Sequence, residues 1–121
     1  RCDGRITIYS GEDANSLSLM LGGAKGSISV TANVAPELMS QMCKLAIAGN
    51  QQAATELDQK LLLLHRGLFV EANPIPVKWA LTEMGMINAG IRLPLTELDR
   101  EYHIQVRDAL HYAEVGLAAV A

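Results

Sequence analysis

Two segments of this chain carry the signature of a strand, and that shortage constrains the fold more than any other feature. Residues 5–10 (Arg5-Ile-Thr-Ile-Tyr-Ser10) alternate and are rich in β-branched side chains, and so does Ser27-Ile-Ser-Val-Thr31. Between them, Gly11-Glu-Asp-Ala14 reads as a turn, Asp13 as the N-cap of a helix through Met20 and Leu21, and Gly22-Gly23 as its stop. Strand, short helix and strand in so little chain form a βαβ unit with parallel strands and a right-handed crossover. A parallel strand is normally buried on both faces, and an isolated pair is marginal. The simplest reading is a sheet that continues in polypeptide upstream of this chain.

Everything after Asn33 has helical spacing. Pro36 suits a first turn and Gly49 a helix end, and Leu38, Met42 and Leu45 repeat between them. The next helix runs from about Gln51 to Phe69, with a stripe of Leu57, Leu61, Leu64 and Leu68 widened by Leu62 and Leu63. Ala72-Asn-Pro-Ile-Pro76 breaks the pattern. A proline forces its predecessor out of the helical region, so Asn73 and Ile75 are expected to be extended, with Pro76 opening a helix through Val77, Ala80, Leu81 and Met84. Asn73–Pro74 is a candidate cis bond. Thr96 and Asp99 resemble a capping pair before a last helix with Leu98, Tyr102, Val106, Ala109 and Ala113 on one side, and the apolar residues from Val115 close the chain.

Composition narrows the function classes. The 121 residues suffice for one ordinary domain, yet half are apolar, which suggests surface covered by a partner or by more of the same protein. Net charge is −3, with no basic block, so nucleic acid is not an expected partner. The longest apolar runs, such as Leu61–Leu64, are far below the ~18 residues a membrane span needs. The chain opens on Arg1 rather than Met, with a polar stretch unlike a signal peptide, so an internal start is expected. Cys2 and Cys43 form no disulfide framework and no C-x-x-C, which fits a reducing cytoplasm, and Cys43, beside Met42, Leu45 and Ala46, reads as a buried structural thiol.

In α/β folds the reactive groups stand at the C-terminal ends of parallel strands, here Ser10-Gly11 and Val30 to Asn33. Gly11 either makes a turn or lets a ligand come close. Ile28, mid-strand, reads from residue type as core, and Asn33 as a partner for loop backbone groups. Glu12 and Asp13 are adjacent and do not face each other, so capping and solvation explain them better than acid–base work. His65, His103 and His111 show no zinc spacing and read as surface or packing residues. Lys25 lies in a loop; Lys44, Lys60 and Lys78 lie on amphipathic helices. None has the desolvated mid-strand setting an imine-forming lysine needs. Gly22-Gly-Ala-Lys-Gly26 lacks the phosphate-loop spacing and precedes a strand. No cofactor or metal is expected.

Four segments carry a resemblance beyond this. Tyr9-Ser-Gly-Glu-Asp-Ala14, Gly26-Ser-Ile-Ser-Val-Thr-Ala-Asn-Val34, Phe69-Val-Glu-Ala-Asn-Pro-Ile-Pro-Val-Lys-Trp-Ala80 and Ile91-Arg-Leu-Pro-Leu-Thr96 resemble dihydrodipicolinate synthases, in that family's order and at its spacing. N-acetylneuraminate lyases share the superfamily but match the later segments less well. The resemblance implies an α/β fold, with residues 1–49 forming the last two strands (about 5–10 and 27–31) of a (β/α)₈ TIM barrel. Helices fall at about 13–21 and 36–48, and residues 50–121 form a mostly helical C-terminal domain.

The resemblance further implies condensation of pyruvate with L-aspartate semialdehyde through a lysine Schiff base, a step of lysine and diaminopimelate biosynthesis. It implies a cytoplasmic homo-oligomer, commonly a tetramer. In that family the imine-forming lysine, the proton-relaying tyrosine and the carboxylate-binding arginine all precede the segment where this chain begins. No catalytic residue is therefore expected in this chain, and Tyr9, Tyr102, Tyr112 and Lys78 take no such role. Two pyruvate-pocket positions carry over by motif: Ile28 in Gly-x-Ile-Ser-Val and Gly11 in Ser-Gly-x-Asp, with Glu12 where the family often has Asp. The alternatives are a related pyruvate-dependent aldolase or a non-catalytic assembly module.

Overall fold

The computed structural model describes residues 3–116; Cys2 and the apolar residues 117–121 lie outside the described residues. Five helices follow one another: α1 (Asp13–Leu21), α2 (Pro36–Ile47), α3 (Gln51–Gly67), α4 (Ile75–Glu83) and α5 (His103–Tyr112). Two 3₁₀ turns, Thr31–Asn33 and Arg100–Tyr102, precede α2 and α5.

The two expected strands are reduced to a single parallel bridge, Ser10 to Ser27. Three backbone hydrogen bonds hold it: Lys25 N donates to the Ile8 carbonyl at 2.8 Å, Ser10 N to Gly26 at 2.9 Å, and Ile28 N to Ser10 at 2.7 Å. The direction and register are those of a parallel pair, but the ladder does not extend. Val30 is already in the right-handed helical region and Thr31 begins a 3₁₀ turn, so the second segment ends earlier than its β-branched residues suggest. With no further strand paired to it among the described residues, a parallel pair has little to hold its outer backbone groups.

The helices are set by local chemistry. Pro36 occupies the first turn of α2, where its missing N–H costs nothing; Glu37 near the start and Lys44 near the end complement the helix dipole. At the other end Gly49 takes φ +79°, a left-handed conformation that glycine adopts without strain. Asn50 N donates to the Leu45 carbonyl at 2.9 Å and Gly49 N to Ala46 at 3.1 Å, the paired bonds of a Schellman motif. Asn50 then caps α3, its side chain accepting from Ala53 N at 3.3 Å. One residue thus ends α2 and starts α3, making a tight corner.

One core cluster joins all of this. Met20 of α1, Met39 and Met42 of α2, Leu61 and Leu64 of α3, Val77 and Ala80 of α4, and Val106 and Leu110 of α5 are all buried. Fully burying Leu61, Leu64 and Leu68 contributes about 1.5–3 kcal/mol each, while Leu57 is only partly buried. The widened part of that stripe stays partly outside, with Leu63 exposed. At the end of α3, Gly67 brings α5 close: a Cβ there would stand 3.3 Å from the Ala109 methyl.

Several local expectations are corrected. The N-cap of α1 is Glu12, not Asp13, which is the first helical residue and is buried. Ile75 is not extended but is the first residue of α4, its N–H bonded to the Ala72 carbonyl at 2.9 Å, so Pro76 falls second. Asn73–Pro74 is cis, and so is Leu93–Pro94. The last helix starts later than Thr96. Asp99 caps the second 3₁₀ turn through Glu101 N at 3.0 Å, and the Glu71 carboxylate accepts from Asp99 N at 3.0 Å.

Candidate functional site

The parallel bridge brings the two expected pocket residues to one place. Gly11 follows Ser10, and the Ser10 carbonyl accepts from Ile28 N, so backbone alone couples their positions. Both residues are exposed, and Ile28 is 73% accessible, which corrects its reading as core. A Cβ built on Gly11 meets nothing within 4 Å, so the space beside it is open. Around them Ile6, Ile8 and Tyr9 are also more than half exposed, so apolar side chains stand open on the first bridging segment.

Beneath this rim lies a buried polar layer. Asp13 is 2% accessible, and its carboxylate accepts from the Ser29 hydroxyl, from Val30 N at 2.9 Å and from Thr31 N at 3.0 Å. A carboxylate so bonded fixes the turn after Ile28 and supplies negative charge at the N-terminus of the 3₁₀ turn. The Ser29 hydroxyl also accepts from Ala32 N at 2.9 Å. Ser16 and Ser27 share a hydrogen bond at 2.7 Å, which ties α1 to the second segment, and Ser10 closes a small turn onto the Glu12 carbonyl at 2.9 Å. Solvation therefore describes the exposed Glu12, which stands at the N-cap position without a side-chain capping bond, and neither capping nor solvation describes Asp13. Asn33 does satisfy backbone, its Nδ2 donating to the Val30 carbonyl at 3.0 Å.

Sequence reasoning missed the third layer. His65 is 2% accessible and its Nδ1 lies 2.9 Å from the Thr31 hydroxyl, itself fully buried. Its Nε2 faces Asp58 Oδ1 at 3.6 Å, and both atoms are buried without a hydrogen-bond partner. A signal was present: His65 stands four residues after Leu61 and three before Leu68, on the core side of α3. His103 does pack, stacked on Trp79 with ring centres 4.4 Å apart, while Arg107 lies 5.2 Å from the Trp79 ring and pairs with Glu83 at 2.7 Å. His111 is exposed.

None of the four lysines is buried: Lys25 and Lys44 are exposed, Lys60 pairs with Glu114, and Lys78 is half-buried. Lys78 lines a cavity of about 200 Å³ with Ile75, Trp79, Thr82 and Ile91, a space that neither Gly11 nor Ile28 lines. Burial pushes the Cys43 thiol above its ordinary range, and the nearby Asp13 charge adds to the shift. No cluster of metal-ligating side chains occurs among the described residues, and no described helix is long and apolar enough to cross a membrane.

A glycine and an exposed isoleucine sit together at a parallel bridge, braced by a buried carboxylate and followed by packed helices, an arrangement that suits a segment of an α/β protein. The chain belongs to the dihydrodipicolinate synthetase family, whose model matches residues 1–113. It is 59% identical over 108 residues to the 4-hydroxy-tetrahydrodipicolinate synthase of Marinobacter nauticus, covering 89% of this chain and 37% of that one. The synthase of Thioalkalivibrio sulfidiphilus is 56% identical over 119 residues, covering 98% of this chain and 40% of its own length. The crystal structure of the chloride-inhibited dihydrodipicolinate synthase of Acinetobacter baumannii with pyruvate superposes with a TM-score of 0.91 at 53% identity, over 93% of this chain and 39% of that one. The chain thus spans about two-fifths of the proteins it matches.

Proposed function

We propose that this chain is the C-terminal part of a TIM-barrel enzyme that condenses pyruvate with L-aspartate semialdehyde to give 4-hydroxy-tetrahydrodipicolinate. The observation that carries the reading is the unflanked bridge. Ile6, Ile8, Tyr9 and Ile28 leave apolar side chains exposed on a parallel pair too short to be a sheet, as expected where further barrel strands belong. Residues 1–49 then complete the barrel and residues 50–121 form the helical domain, the two sharing one core.

In the complete enzyme a lysine outside this chain attacks the pyruvate ketone, and loss of water gives an imine. The imine withdraws electrons, so a proton leaves the methyl group and the resulting enamine attacks the aldehyde. Ile28 and Gly11 line the pyruvate pocket and take no covalent part. None of the four lysines of this chain is buried in an apolar site beside Gly11 and Ile28, which supports placing the imine elsewhere. The enzyme is cytoplasmic and a homo-oligomer, and the exposed Leu19 and Leu21 of α1 offer apolar surface for subunit contact. The test is condensation assayed on the complete polypeptide and on this chain. Turnover is expected only from the former, and turnover by the 121-residue chain would overturn the reading.

A further inference from the structure

The buried Thr31–His65–Asp58 chain has no part in the reaction as described, yet it reaches the turn that carries Ile28. Thr31 is held at both ends: its N–H donates to Asp13 of α1 at 3.0 Å and its hydroxyl meets His65 Nδ1 of α3 at 2.9 Å. An ionised carboxylate accepts only, so pairing the orphaned Nε2 with the orphaned Asp58 Oδ1 puts the donating proton on Nε2. The present 3.6 Å needs an approach of about 0.7 Å to reach hydrogen-bond length. In the neutral ring Nδ1 then accepts from the Thr31 hydroxyl. A leucine at this position of α3 would extend the apolar stripe; a polar link instead fixes direction as well as distance.

We propose that His65 is a positioning residue: acting through Thr31, it sets the turn after Ile28 and with it the pyruvate-facing side chain. The inference rests on the functional reading above, because it takes Ile28 as a pyruvate contact. Positioning of this kind is felt by the substrate that Ile28 touches and not by the second substrate.

Asparagine and glutamine separate the two ends of the ring. In the complete polypeptide, His65→Asn keeps an acceptor where Nδ1 stands and so keeps the Thr31 bond. His65→Gln keeps a donor where Nε2 stands and loses that bond. Thr31→Val deletes the hydroxyl at nearly constant volume. Steady-state kinetics are expected to show KM for pyruvate raised about fivefold to tenfold in His65→Gln and Thr31→Val, the worth of one lost hydrogen bond. KM for the semialdehyde should hold, and His65→Asn should recover pyruvate KM to within about twofold of the parent. Thermal melting of each variant accompanies the kinetics, since a purely structural role lowers the melting point of both His65 variants and splits no KM. Equal pyruvate KM in His65→Asn and His65→Gln, or an unchanged value in folded Thr31→Val, overturns the inference; Thr31→Val decides if a His65 variant fails to fold. A parent polypeptide that forms no pyruvate imine overturns the functional reading instead.

Discussion

Asp13 shows how far a side chain's role can depend on residues distant in sequence. Its partners Ser29, Val30 and Thr31 are 16 to 18 positions away, so nothing in Gly11-Glu-Asp-Ala14 distinguishes it from an ordinary cap. Replacing it with alanine leaves the buried Thr31 N–H and the part-buried Val30 N–H unpaired. Asp13→Ala should therefore destabilise the complete polypeptide by about 3 kcal/mol, read from chemical denaturation. Asp13 also acts on Cys43, whose thiol is held above its ordinary range first by burial and then by the Asp13 charge. The folded state favours the neutral thiol. That contribution to stability is full below the unfolded thiol's pKa and fades as pH rises through the ordinary thiol range and beyond it. Alkylation of Cys43 at pH 8, followed by peptide mass, should be slower in native than in denatured protein, and an equal or faster native rate would contradict the raised thiol. Gly11 and Ile28 were singled out by motif resemblance, while residue type alone read Ile28 as core. His65 was not singled out, because its partner Thr31 lies 34 residues back and only packing joins them.

At the scale of elements, legibility follows whether the determinants are local. Pro36, Gly49 and Asn50 mark the α2–α3 corner because each acts through its own backbone neighbours. The strands were over-read for the converse reason: alternation at residues 5–10 and 27–31 records a preference that only flanking strands can realise. Ile75 joined α4 despite preceding Pro76, its N–H satisfied by Ala72. The corner yields a clean prediction. A Cβ at Gly49 meets nothing within 4 Å, so Gly49→Ala costs only backbone strain at φ +79°. A loss of about 1 kcal/mol is expected, and a neutral or stabilising change in urea midpoint contradicts the cap geometry.

At the scale of the molecule, the described residues share one helical core, yet they leave apolar side chains of the bridged pair uncovered. Unpaired edges and exposed apolar side chains favour association. Light scattering on the 121-residue chain should show oligomers or aggregates, and a stable dilute monomer near 13.0 kDa would count against an uncovered barrel edge.

The placement of the imine-forming amine outside residues 1–121 is tested most directly by borohydride reduction in the presence of pyruvate, read by intact mass. The complete polypeptide should gain one reduced pyruvate adduct per chain, on a peptide outside these residues, while the isolated chain gains none. A stoichiometric adduct on Lys25, Lys44, Lys60 or Lys78 would contradict the account.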